Sequence, residues 1–107
     1  MEDVTIGAGN LAGNGVYANR TLKKGEVVIK YHLQILTEDE FSKLPESEQE
    51  FTHKREGVIY LYLEPERYVN HSDDPNTVQD FRNGYDVAYR DIQKGEMITT
   101  DSTKEDF

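Results

Sequence analysis

The chain has 107 residues, no cysteine and a net charge of −9, from 21 acidic against 12 basic side chains. That length suits one domain with one modest core, and the lack of cysteine excludes disulfides, thiolate metal sites and a cysteine nucleophile. The acidic balance argues against nonspecific DNA or RNA binding, which needs basic surface to displace counterions. It suits a cationic partner such as a lysine-rich peptide, although acidity for solubility alone is the plainer reading. No apolar run approaches the ~20 residues of a membrane span. Met1-Glu2-Asp3 lacks a signal-peptide pattern. A soluble, intracellular protein away from membranes is the expectation.

Glycines crowd the first segment at Gly7, Gly9, Gly13 and Gly15. Gly7-Ala8-Gly9-Asn10-Leu11-Ala12-Gly13 misses the dinucleotide pattern G-x-G-x-x-G by one extra residue. No helical pattern follows it, and no Gly-Lys-Ser/Thr either, so neither a Rossmann fingerprint nor a P-loop fits. A glycine turn, or a place where backbone comes close to a ligand, remains.

Segment 16–29 reads as strand, turn, strand, with Lys23-Lys24-Gly25-Glu26 as the turn and Val27-Val28-Ile29 β-branched. Ala18-Asn19-Arg20-Thr21-Leu22-Lys23-Lys24-Gly25-Glu26-Val27-Val28 aligns with Ala88-Tyr89-Arg90-Asp91-Ile92-Gln93-Lys94-Gly95-Glu96-Met97-Ile98. Ala, Arg, Lys, Gly and Glu coincide, with an aliphatic residue between them. Both segments read as one local device, a corner in which Lys-Gly-Glu launches a new strand, with glycine supplying a positive φ.

Segment 37–51 is the helical candidate. Thr37 with Glu40 three residues on makes a capping box. Phe41 and Leu44 share a prospective inner face, and Pro45 breaks or kinks the helix. Segment 58–63 alternates as a strand with Tyr60 and Tyr62 on one face. It leads to a dense polar stretch, Arg67-Tyr68-Val69-Asn70-His71-Ser72-Asp73-Asp74-Pro75-Asn76-Thr77, whose second half is turn chemistry. Segment 80–90 reads as a hairpin turning at Arg82-Asn83-Gly84, with Asn-Gly suited to a type I′ corner. Met97-Ile98-Thr99-Thr100 is the last strand. Many short strands with turns between them predict a mainly β domain. His32, His53 and His71 lack metal-ligand spacing, and Asp73-Asp74 reads as a solvated turn, so no metal site is expected.

Three motifs, in order, resemble the SET-domain family of S-adenosylmethionine-dependent protein-lysine methyltransferases. Gly13-Asn14-Gly15-Val16-Tyr17-Ala18 is similar to that family's first Gly-x-Gly strand. The polar stretch resembles its signature loop, Arg-aromatic-aliphatic-Asn-His-Ser-x-x-Pro-Asn. Gly95-Glu96-Met97-Ile98-Thr99-Thr100-Asp101 resembles its last motif. The resemblance implies one SET-like domain over residues 1–107, with a β-clip fold of short strands in small sheets. It implies a short helical insert and a C-terminal pseudoknot that brings the final strand against the signature loop.

It also implies roles. Asn14, Gly15 and Tyr17 correspond to the segment that holds S-adenosylmethionine. Asn70 corresponds to a cofactor contact through its amide, and His71 to one made largely through backbone. Phe107 is placed to stack on the adenine. The implied partner is a basic, lysine-containing protein or peptide. The family's closing tyrosine, which orients the lysine nitrogen, falls on Ser102. Tyr31, Tyr60 or Tyr62 is then the candidate to supply the missing hydroxyl, and a second subunit is one way to complete the channel, as a homodimer. Two other readings stay open: a catalytically silent SET-like module binding cofactor or a basic peptide, and a β-rich structural protein without cofactor.

Overall fold

The computed structural model describes residues 3–9 and 13–101. They form a mainly β structure, as the run of short strands and turns predicts, arranged in three small sheets, as the resemblance implies. In the first sheet, β1 (Val4–Ala8) and β2 (Asn14–Ala18) pair antiparallel from Val4↔Ala18 to Ala8↔Asn14. On the other side of β2 lies β10 (Met97–Thr100), the last strand of the described chain. The two-residue strand β7 (Asn70–His71) runs parallel to β10, with Thr99 opposite Asn70 and Thr100 opposite His71. Parallel neighbours need a crossover connection. Here it brings the mid-chain polar stretch and the tail of the chain side by side.

The second sheet is β3 (Val27–Lys30), β9 (Tyr85–Ala88) and β8 (Thr77–Asp80), in that order. Its β3–β9 pair carries a register shift at Val28, so that Ile29 stands opposite Asp86. The third is β4 (Gln34–Leu36), β6 (Val58–Leu61) and β5 (Thr52–Arg55). Val16, Leu22, Val28, Ile29, Ile92 and Ile98 build the main core between the first two sheets. A satellite cluster of Leu36, Ile59 and Leu61 sits on the third sheet, covered by Phe41 and Leu44 as their helical spacing predicts.

The two aligned corners are real, but they do not close as hairpins. Strands β2 and β3, joined by the first corner, belong to different sheets. Each corner instead bonds to the other. The Gly25 N–H donates to the Ala88 carbonyl and the Ala88 N–H to the Glu26 carbonyl, both at 2.9 Å. The Gly95 N–H donates to the Ala18 carbonyl at 2.8 Å and the Ala18 N–H to the Glu96 carbonyl at 2.9 Å. Leu22 and Ile92, both 0% exposed, exchange two backbone hydrogen bonds at the centre. Gly25 and Gly95 hold φ of 92° and 91°, a conformation that side chains with a Cβ resist.

The capping box forms as expected. The Thr37 hydroxyl accepts from the Glu40 N–H at 3.1 Å, and the Glu40 carboxylate accepts from the Thr37 N–H at 2.9 Å. Pro45 divides the insert into α1 (Glu38–Ser42) and α2 (Glu46–Gln49).

One element has no counterpart in the sequence reading, and one local expectation changes. Strand β5, with no clear alternation of its own, turns tightly into β6 through Glu56 and Gly57, both at positive φ (52° and 81°), as a type I′ turn requires. The hairpin at Arg82-Asn83-Gly84, by contrast, is not a two-residue I′ turn. It is a four-residue loop in which Gly84 alone has positive φ. The Asp80 carboxylate accepts from the Asn83 N–H and side-chain amide, and the Gly84 N–H donates to the Asp80 carbonyl. Phe81, drawn into the interior, fixes the wider loop.

Candidate functional site

Arg67 anchors the polar stretch before the site begins. It lies on a short 3₁₀ turn, Glu66–Tyr68. Its guanidinium makes a two-point contact to Glu48 of α2, at 2.9 and 3.1 Å. Its Nε donates to the Tyr62 carbonyl at 2.9 Å, and the guanidinium lies 4.4 Å from the centre of the Phe51 ring. Such a fork holds geometry as well as charge. Tyr68 packs against the main core.

Asn76 then ties the stretch to the last strand. The Asn76 side chain, in a residue 2% exposed, donates to the Met97 carbonyl at 2.8 Å and accepts from the Thr99 N–H at 2.9 Å. The Asn76 N–H donates to the Thr99 hydroxyl at 3.1 Å, and the Thr77 hydroxyl to the Thr99 carbonyl at 2.7 Å. Sequence reasoning placed Asn76 in a turn and missed this. An Asn after Asp-Asp-Pro signals turn chemistry, and nothing local reveals the strand it will face.

With β7 and β10 so joined, Asn70, Met97 and Gly15 converge. The Asn70 amide nitrogen lies 3.4 Å from the Met97 sulfur. A Cβ on Gly15 would stand 3.2 Å from the Asn70 amide nitrogen and 3.2 Å from the Met97 methyl carbon. Glycine is thus the residue that leaves this junction open. Asn14 is exposed at the start of β2. Tyr17 is turned to the β1 side, its hydroxyl donating to the Ala8 carbonyl and its ring against Gly7. His71 keeps its ring at the surface, Nε2 at 3.1 Å from Asp73 and Nδ1 at 3.7 Å from Asp101. The Ser72 N–H donates to the Thr100 carbonyl at 2.9 Å. Phe107 and Ser102 lie outside the described residues.

The three candidate tyrosines surround Phe81, with ring centres 6.0 Å (Tyr31), 5.3 Å (Tyr60) and 6.5 Å (Tyr62) away. They do not share a cavity. Tyr31 and Tyr62, 6.2 Å apart, line a cavity of about 230 Å³ together with Val69, Gln79, Asp86 and Thr100. Tyr60 faces a separate pocket with Arg55 and Arg82. The Tyr31 hydroxyl donates to Asp86. Burial, and then the Asp86 charge, push Tyr31 ionisation far above its ordinary range. Burial, with Glu66 adding, pushes the Asp86 carboxyl up to about 7, against the opposing hydrogen bond from Tyr31.

A second, more open cleft of about 430 Å³ lies beyond, lined by Asp73, Asp74, Tyr89 and Asp101. Gln79 and Thr100 line both clefts, so the end of β10 separates them.

The SET domain family matches residues 13–101. The chain is also similar to the variant-silencing SET domain-containing protein of Plasmodium falciparum (isolate 3D7), with 30% identity over 119 aligned positions. That alignment covers 92% of this chain but 5% of the much longer relative. Among solved structures, the "Plasmodium falciparum putative histone methyltransferase PFL0690c" superposes with a TM-score of 0.75 at 23% identity, covering 94% of this chain and 93% of that one. At that identity the likeness speaks for the fold. The matched span begins at the Gly13 strand and ends at Asp101, and so takes in every element that meets at the junction of β2, β7 and β10: the chain belongs to the SET-domain family.

Proposed function

We propose that residues 1–107 act as one SET domain that transfers a methyl group from S-adenosylmethionine to the side-chain amine of a protein lysine. The observation that carries the reading is the junction of Gly15, Asn70 and Met97; Val69, the chain neighbour of Asn70, and Thr100 of β10 line the cavity of Tyr31 and Tyr62. The residues at the junction fit the cofactor. Gly15 keeps open a space that a Cβ would crowd. The Asn70 amide faces a thioether, a weak acceptor, so its donor capacity is there for a carboxylate or carbonyl. S-adenosylmethionine supplies a sulfonium-bound methyl group when it is bound.

The chain's own residues do the rest. Asn70 donates its amide, the Asn14-Gly15 and His71 backbones line the approach, and Tyr17 braces the strand. Phe107 is assigned to the adenine on the family resemblance alone. Support for the tail threading beneath residues 70–75 comes from the parallel pairing of Thr99 with Asn70 and Thr100 with His71. Tyr31 and Tyr62, rather than Tyr60, line the space proposed for the lysine side chain. A free lysine amine has a pKa of ~10.4, and a cavity poor in water lowers it towards the neutral, nucleophilic form. Holding amine and methyl group in line contributes ~7–11 kcal/mol in favourable cases. The net charge of −9 favours a cationic protein or peptide as substrate.

Ser102, standing where the family places its closing tyrosine, favours a second reading: a silent module that binds cofactor or a basic peptide without turnover. Titration with S-adenosylhomocysteine, followed by methyl transfer to lysine-rich proteins, separates the two. Binding with transfer supports the enzyme. Binding without transfer supports the silent module, and no binding removes the enzyme and leaves the silent module only as a peptide binder.

A further inference from the structure

Asp86 is an acid in a place where this fold buries apolar side chains. Extending the corner alignment two residues upstream sets it against Val16, which is 0% exposed in the main core. Asp86 is equally hidden, at 2%. It stands on β9 between Ile29 of β3 and Gln79 of β8, and among the described residues it makes no ion pair. The charged group that acts on it is another acid, Glu66. Glu66 is itself held by the His32 N–H and ring. Arg67, the cation on the same cavity, is committed to Glu48 and the Tyr62 carbonyl. Tyr31 and Tyr62 complete the titratable groups around it, with Glu50 at the rim. A buried acid with no cation costs stability near neutral pH, and such costs concentrate at functional sites. Asp86 also opens on a cavity of about 230 Å³, several times the roughly 30 Å³ share of one liquid water.

We propose that Asp86 is the cation receptor of this cavity, drawing in the primary ammonium group of the substrate and taking up its proton through Tyr31. The inference rests on the lysine reading given above. In the step, one N–H bond of the ammonium breaks and its electron pair stays on nitrogen. The proton passes to the Tyr31 oxygen while the Tyr31 proton passes to Asp86. Tyr31 ends neutral, Asp86 ends as a carboxylic acid, and the amine ends uncharged with its lone pair free. Tyr31 never has to exist as a phenolate, which suits a phenol whose ionisation burial has pushed out of range. An acid poised near 7 is ionised when the cation arrives and is basic enough to accept a proton once the cavity has lowered the amine's own pKa.

The probe is n-butylammonium, with n-butanol as the uncharged control, titrated by NMR into the whole chain at pH about 8, above the Asp86 midpoint. The wild type is expected to prefer the amine about tenfold or more, and Asp86→Asn to lose that preference. In the wild type the resting pair is carboxylate and ammonium, the proton moving only as the amine reacts. The Asp86 carboxyl-carbon titration is therefore expected to fall by about one unit when the amine saturates. Wild type without the preference, Asp86→Asn that retains it, or an Asp86 midpoint that ignores the amine overturns the proposal. Should Asp86→Asn fail to fold, the wild-type carboxyl titration decides alone. S-adenosylhomocysteine is titrated in parallel. Amine binding at Asp86 without S-adenosylhomocysteine binding keeps the cation site and sinks the methyltransferase reading. The opposite pattern sinks the cation site and leaves the methyltransferase reading standing.

Discussion

The two corners, 18–28 and 88–98, are built alike and used differently. In each, an arginine reaches the glutamate of Lys-Gly-Glu, Arg20 to Glu26 at 3.1 Å and Arg90 to Glu96 at 3.2 Å. In each, that glutamate caps a backbone N–H three residues back, at 3.0 Å from Lys23 or Gln93. Beyond this point they diverge. The first corner launches Val28 and Ile29 into the core and delivers Tyr31 to the inner cavity. The second launches Ile98 into the core but presents Met97, Thr99 and Thr100 to the polar stretch. Upstream, Val16 of one unit is matched by Asp86 of the other. The shared half is scaffold. The proposed chemistry falls at the few positions where the copies differ.

Removing the shared centre should have the largest effect. Leu22→Ala leaves a cavity at the contact both corners depend on and is expected to cost about 2–5 kcal/mol in denaturant unfolding. Pairing it with Ile92→Ala should give less than the sum, because the two residues touch. Next comes Asn76→Ala, which acts on the second corner's strand alone. It strands the Met97 carbonyl and the Thr99 N–H in the interior, at a cost of about 2–4 kcal/mol by the same measurement.

The pair Val16 and Asp86 gives a pH signature. The folded-state pKa of Asp86 is raised to about 7, above the ordinary carboxylate value. Its contribution to stability is therefore fully present in acid and is lost as the pH rises through about 7. Asp86→Asn should raise stability at pH about 8 by a few kcal/mol, at most ~4, and change it little at pH about 4. Unfolding midpoints across that range check this. Smallest is the glycine comparison. Gly25→Ala and Gly95→Ala should each cost about 1–2 kcal/mol from backbone strain alone, since neither new Cβ meets a neighbour. Only Gly95→Ala should also weaken S-adenosylhomocysteine binding in a calorimetric titration.

What was legible in the sequence is what short-range chemistry dictates. Thr37 and Glu40 find each other within one turn of helix, and Lys-Gly-Glu makes the same corner twice. The order of the three motifs led to the family and the mainly β fold. What stayed hidden depends on partners distant along the chain. Thr52–Arg55 becomes a strand because β6 is there to pair with it. Phe81 widens its loop because an aromatic cluster waits inside. Asn76 and Asp86 look like surface polar residues until the last strand and the second sheet enclose them. Val16 and Asp86 lie two residues upstream of the aligned corners, and only extending the same register that far sets the acid against the valine.

The central claim is that the Gly15, Asn70 and Met97 junction holds the methyl donor. The most direct test is calorimetric titration of S-adenosylhomocysteine into the wild type and Asn70→Ala. The account predicts that the wild type binds and that the variant binds about 10- to 100-fold more weakly, the loss of one hydrogen bond to a charged group. Equal affinity in the two proteins would contradict it.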